Sequence, residues 1–158
     1  MPARILVPLD SSTASLRGLD EAIRLAVRDG CALRLVHVVD TARCVGRRKP
    51  AGADLIPWME QAGMQVLQLG RARAEAAGIA AQTLLFTAGA DRIADLVVEQ
   101  AGAWKAGIIV IGTNGRRRGL GNAVRAATTI PVRLVVHAAR PMKESGSVPA
   151  QDDAAAVA

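Results

Sequence analysis

The sequence predicts an α/β fold, a five-stranded open parallel sheet with helices on both faces in the Rossmann-like manner. Three observations predict it. Short apolar segments alternate five times with segments of helical period. The run GIIVIG, residues 107–112, is apolar throughout instead of alternating, which marks a strand covered on both faces. Capping hydroxyls and helix-ending glycines fall between the segments, where such a chain must turn.

RILVPL, residues 4–9, reads as a short buried strand. In the next segment Leu16, Leu19, Ile23 and Ala26 recur at helical spacing. Ser11, Ser12 or Thr13 can cap that helix, and Gly30 can end it in a left-handed turn. Residues 32–39 form the second strand, and Cys31 just before it is read as structural. Residues 41–54 are a loop rich in Gly, Pro and Arg, with RRKP at 47–50 a solvated run. A second helix is expected over residues 56–77, with Pro57 in its first turn, Gly78 at its end, and Trp58, Ala62, Val66 and Leu69 near one face.

AQTLLFT, residues 81–87, is the third strand. Asp91 opens a helix to about residue 103 with Ile93, Val97 and Ala101 facing inward. Residues 107–112 are the fourth strand, residues 120–128 a short helix, and PVRLVVH at 131–137 the fifth strand. One domain is expected over residues 1–140, and the polar, Ala-rich residues 141–158 are expected to be a disordered tail.

Composition narrows the function classes. A chain of 158 residues with 51% hydrophobic and 22% charged residues can bury a core, so it is neither disordered nor fibrous. The net charge of +6 favours anionic partners, although surplus solvated Arg gives the same number. There is no Tyr, and Phe86, Trp58 and Trp104 are the only aromatics, which argues against a stacking platform for single-stranded nucleic acid. Cys31 and Cys44 form no CxxC pair, and no Cys/His set has zinc spacing, so no metal site is read. The absence of a signal pattern and of a long apolar run leads to an expected cytoplasmic protein with no membrane partner.

Ligands of open parallel sheets bind beyond the carboxyl ends of the strands, where the winding reverses. Two segments sit there. Asp10, with Ser11 and Ser12, follows the first strand; its carboxylate could accept from a base amine or ribose, or simply cap a helix. GTNGRRRGLG, residues 112–121, follows the fourth strand. Its glycines allow backbone N–H groups near phosphate oxygens, and Arg116, Arg117 and Arg118 add cations; a flexible basic turn reads equally well. There is no G-x-G-x-x-G after the first strand and no GK[ST] ending. His37 and His137 lie in strands without a nucleophile motif, so no catalytic residue is assigned.

Together RILVPLDSS, LRLVHVVD, AGIIVIGTNGRRRGL and IPVRLVV, in this order, resemble the universal stress protein family over about residues 3–138. The resemblance implies strand order 3-2-1-4-5 in a sheet like that of the adenine nucleotide alpha hydrolases. It implies an adenine pocket at Pro8 and Leu9, contacts from Asp10 and the backbone near Val38, and ribose and phosphate contacts at Gly112 and Gly115, to which the residues themselves add Arg116 as a cationic donor to phosphate. It also implies antiparallel pairing of the last strand in a homodimer. Family members that bind ATP follow G-x-x-G by nine residues and then Gly with Ser or Thr. Here that count reaches Arg125 and Ala126, the segment to Pro131 is about seven residues short, Gly121-Asn122 offers a displaced Gly and an amide, and Gly107 replaces an acidic residue. The expectation is therefore a non-enzymatic stress-response protein with a degenerate adenine-nucleotide (ATP/AMP) site, where Mg²⁺ enters only with ATP. Two alternatives stay open: an ATP-binding member with slow ATP hydrolysis, and a receiver-like signalling domain using Asp10 and Asp40.

Overall fold

In a computed structural model that describes residues 3–42, 55–116 and 119–137, strands and helices alternate in the expected order. They are β1 (Arg4–Pro8), α1 (Thr13–Asp29), β2 (Ala32–Asp40), α2 (Leu55–Ala76), β3 (Ala81–Ala88), a 3₁₀ turn (Ala90–Arg92), α3 (Ile93–Ala103), β4 (Ile108–Thr113), α4 (Leu120–Ala127) and β5 (Val132–Val136). The five strands form one sheet in the order β3-β2-β1-β4-β5, and every pair is parallel. His137, read as the end of the fifth strand, lies just past it and donates its N–H to Thr113 O at 2.8 Å. The RRKP run, Cys44 and the tail from residue 141 lie outside the described residues. No helix among the described residues is long and apolar enough to cross a membrane.

Alternation along the strands divides the core into two clusters. Ile5 and Val7 of β1 and Leu33 and Leu35 of β2 pack with Leu19 of α1 and Leu67 and Ala74 of α2. Leu6, Val36, Ile109 and Ile111 pack on the other face with Val97 and Ala101 of α3 and Val124 of α4. Each buried Leu, Ile or Val contributes about 1.5–3 kcal/mol by leaving water. Cys31 is buried with the first cluster, and burial pushes its thiol pKa up, as suits a structural residue.

Helix α1 starts where a serine can cap it: Ser12 Oγ accepts from Ser15 N at 3.1 Å. Such a cap contributes about 1 kcal/mol. The helix ends at Gly30, whose φ of 68° is left-handed. Between these ends α1 lies unusually close to β4. A Cβ on Gly18 would sit 2.4 Å from Gly112 N, and a Cβ on Gly112 would sit 1.7 Å from Ala14 O. Two side-chain-free positions face each other, and backbone meets backbone.

Helix α2 corrects the sequence reading. Its buried face is Gly63, Leu67, Gly70 and Ala74; of the expected Trp58, Ala62, Val66 and Leu69, Val66 packs against the first core cluster while Trp58 and Leu69 are turned out. Trp58 and Leu69 are 69% and 70% exposed, while Ala62 and Val66 are half-buried. The reason is again close approach: a Cβ on Gly63 would meet His37 Cδ2 at 2.4 Å, and one on Gly70 would meet Leu9 Cδ1 at 2.7 Å. Glycine carries no hydrophobic signal, so periodicity of large side chains pointed to the wrong face.

The edge strand β5 is tied to α1 by charge. Arg133 donates to Glu21 at 2.8 Å, and Glu21 also pairs with Arg24 at 2.7 Å. The Arg24 hydrogen bond and the charge of Arg133 hold the Glu21 carboxyl below its ordinary 4.5, against the opposing effect of its partial burial.

Two predictions come from this architecture. Gly112→Ala forces α1 and β4 apart and should cost about 3 kcal/mol or more. Gly30→Ala, with nothing within 4 Å of its added Cβ, should cost only the left-handed strain of about 1–2 kcal/mol. Urea unfolding ranks them, and a reversed order would refute the close-contact account. Glu21→Gln should lose less than about 1 kcal/mol at neutral pH. Because folding lowers the carboxyl pKa, that difference should be full above the ordinary 4.5 and fade as pH falls through the lowered folded value. Unfolding midpoints across acid pH check it.

Candidate functional site

The winding reverses between β1 and β4, and the sequence shows why a crevice opens there. N–H of Leu9 donates to Val36 O at 2.7 Å, so odd residues of β1 face β2. N–H of Gly107 donates to Arg4 O at 2.8 Å, so even residues of β1 face β4. Pro8 is the next even position after Leu6, and proline has no N–H to give. The β1–β4 register accordingly ends after Ile5–Ile108 and Leu6–Ile109, whereas β4 and β5 stay paired to Thr113–Val136. A proline inside a central strand is uncommon. Here it stands where the ladder stops.

Beyond this split lies a cavity of about 600 Å³. Pro8 at the end of β1, Leu9 just after it, and Val38 and Val39 of β2 line it, with Ile93, Ala94 and Val97 from the α3 side. Asp10, Ser12, His37 and Asp40 add polar groups from the ends of β1 and β2. Gly112, Thr113, Asn114 and Arg116 come from β4 and its loop, and Gly119–Gly121 from the start of α4.

Asp10 is held by its own turn. Oδ1 accepts from Ser12 N at 2.7 Å, and Asp10 N donates to Ser15 Oγ at 2.9 Å. The cap itself is Ser12 Oγ; Asp10 closes the turn ahead of it, and this occupies one carboxylate oxygen. Among the described residues Oδ2 has no hydrogen-bond partner, and the side chain is exposed at the cavity mouth. His37 Nδ1 donates to Leu9 O at 2.7 Å, tying β2 to the end of β1 and fixing the ring at the cavity wall.

The loop after β4 is built from short-range bonds. Gly115 takes a φ of 80°, and its N–H donates to Thr113 Oγ1 at 3.2 Å. Arg116 O accepts from Gly119 N at 3.2 Å and from Asn122 Nδ2 at 3.3 Å. Gly119 caps α4 without a side-chain bond, so the backbone at the helix start lines the cavity without a capping oxygen. Arg117 and Arg118 lie outside the described residues.

Of the residues singled out from sequence, Pro8, Leu9, Asp10, Val38, Gly112 and Arg116 converge on the cavity. Gly115 does not line it; a Cβ added there would sit 3.6 Å from Val136 Cγ1. Gly112 has a packing reason of its own in the contact with α1. Gly121 and Asn122 are also explained locally, Gly121 by the closeness of Leu134 Cδ2, 2.6 Å from where a Cβ would sit, and Asn122 by its bond to Arg116 O. Sequence reasoning missed Met59, Ile93 and Val97 as cavity wall. The inward spacing of Ile93 and Val97 was the available signal, because the face that packs inward also reaches the crevice.

The family model described as the universal stress protein family matches residues 1–148. Among solved structures, a protein of that family from Burkholderia pseudomallei is 27% identical with a TM-score of 0.70, over 85% of this chain and 96% of that one. A universal stress protein from Archaeoglobus fulgidus in complex with dAMP is 20% identical with a TM-score of 0.64, over 85% and 97% of the two chains. A universal stress protein family protein from Arabidopsis thaliana with AMP bound is 14% identical with a TM-score of 0.67, over 87% and 94%. No curated protein matches the chain. A family match over almost the whole length, on a parallel sheet of order 3-2-1-4-5, shows that this chain belongs to the universal stress protein family.

Proposed function

We propose that the chain is a non-enzymatic, homodimeric universal stress protein that takes an adenine mononucleotide in the cavity between β1 and β4. The observation that carries this reading is the cavity's polarity. Leu9, Val38 and Ile93 give an apolar wall that suits a purine; Arg116 and the start of α4, which no side chain caps, suit one phosphate. Asp10 Oδ2 is the acceptor for a ribose hydroxyl or base amine. The relatives holding AMP and dAMP support the ligand class. Among the described lining residues Arg116 is the only cation, which is little charge for a triphosphate and less for its hydrolysis.

Titration calorimetry tests the reading. AMP should bind with an affinity that ATP with Mg²⁺ does not exceed, and Asp10→Ala should weaken it about tenfold, the scale of one hydrogen bond to a charged group. Low-micromolar ATP binding, about −8 kcal/mol, would contradict it, as would ATP turnover abolished by Asp10→Asn.

The homodimer reading rests on the edge of β5. Pro131 O accepts from Ile109 N and His137 N donates to Thr113 O, so odd residues of β5 face β4. The backbone groups of Val132, Leu134 and Val136 therefore face the open edge. Val136 is 62% exposed, and Arg133, paired with Glu21 on α1, does not shield it. An unpaired apolar edge is a template for a second copy. Val136→Pro removes an outward N–H without touching the β4 ladder, so it should yield a folded monomer in light scattering. A wild type that is monomeric at high concentration refutes the dimer.

A further inference from the structure

The opposite end of the sheet carries a second cleft, of about 300 Å³, lined by Arg4, Ala32, Gln82 and Trp104 among others. Its side-chain polar groups are arranged as donors. Arg34 Nε and Nη2 both donate to Gln82 Oε1, at 3.0 and 2.7 Å. With its oxygen held twice, Gln82 has its NH₂ group left to offer. Arg4 Nη1 donates to Trp104 O at 2.6 Å and leaves the rest of its guanidinium fork unused. Both guanidiniums lie by the Trp104 ring, Arg34 at 4.4 Å and Arg4 at 5.7 Å from its centroid. Among the described residues neither arginine pairs with a carboxylate. Partial burial and then the charge of Arg4 push the Arg34 pKa down, the mark of two cations held together without a counter-charge.

We propose that this cleft binds a small oxyanion, a phosphate or a carboxylate, between Arg4 and the Gln82 amide, with Trp104 as its wall. Arg34 is a positioning residue that fixes the direction of the Gln82 amide. The site lies at the amino ends of β1, β2 and β3, while the nucleotide cavity lies at the carboxyl ends of the strands, so the two are separate.

Trp104 emission reads the test in a Trp58→Phe background, because Trp58 is 69% exposed and would dominate the signal. Inorganic phosphate and acetate are titrated separately against chloride at equal ionic strength. A saturable change with either anion, with a dissociation constant on the order of 1 mM, supports the site, and the tighter anion names its class. Gln82→Glu keeps the bond to Arg34 but places a carboxylate on the wall, so it should weaken binding about tenfold or more in a protein that stays folded. Arg71→Ala, an exposed arginine of α2 that lines neither cavity, should leave the anion affinity unchanged. An absent or non-saturating response, the same response to chloride, or unchanged affinity in Gln82→Glu overturns the proposal.

Discussion

Helix α1 and strand β4 touch through their backbones, at Gly18 and Gly112, and much of the molecule depends on that contact. It sets the height of α1 above the sheet. With the helix that low, Ala14 and Ser15 are buried against β4, and the turn from Pro8 to Ser12 is drawn down to the strand end. Ser15 then reaches Asp10 N, Asp10 reaches Ser12 N, and Ser12 caps the helix. A side chain at either glycine would lift α1 and loosen this closed set of bonds. The first glycine of the loop motif is thus a packing residue before it is anything else.

The cavity is the second consequence of a backbone limit. Parallel strands stay together while both sides supply donors and acceptors. Pro8 supplies no donor toward β4, so β1 and β4 part while β4 continues beside β5. The gap falls at the point where the winding reverses, with helices from both faces contributing walls. Apolar residues are already there as continuations of the two core clusters, and polar groups come from turns that must leave the sheet. A site with apolar walls and polar groups supplied by the turns is what this geometry produces.

Charge is distributed differently at the two ends of the sheet. At the carboxyl end Asp10, Asp40 and Arg116 share one cavity. At the amino end Arg4 and Arg34 gather around Trp104 with Gln82 and, among the described residues, no acid. Other arginines are matched, Arg73 with Asp20, Arg28 with Asp29 and Arg71 with Glu75, all exposed pairs that contribute little to stability. Such matched pairs carry no net charge, so Arg4 and Arg34, held in one cleft without a matching acid among the described residues, belong to the sequence's excess of positive charge.

The sheet, its parallel sense, the helix order and the strand ends were legible from local pattern, because periodicity and caps such as Ser12 and Gly30 act within a few residues. So was the meeting of Asp10, Gly112 and Arg116, since residues at strand ends meet at the reversal of winding; Pro8, Leu9 and Val38 came from the family resemblance. The buried face of α2 was not legible. It is chosen by Gly63 and Gly70, which give no hydrophobic signal and matter only once His37 and Leu9 stand opposite them. Nor could the sequence separate Gly115, beside Val136, from Gly112, pressed against α1. Local patterns fix which elements form. The distances between backbones that are far apart in sequence decide which faces meet and which glycines are free to meet a ligand, and those distances exist only in the packed structure.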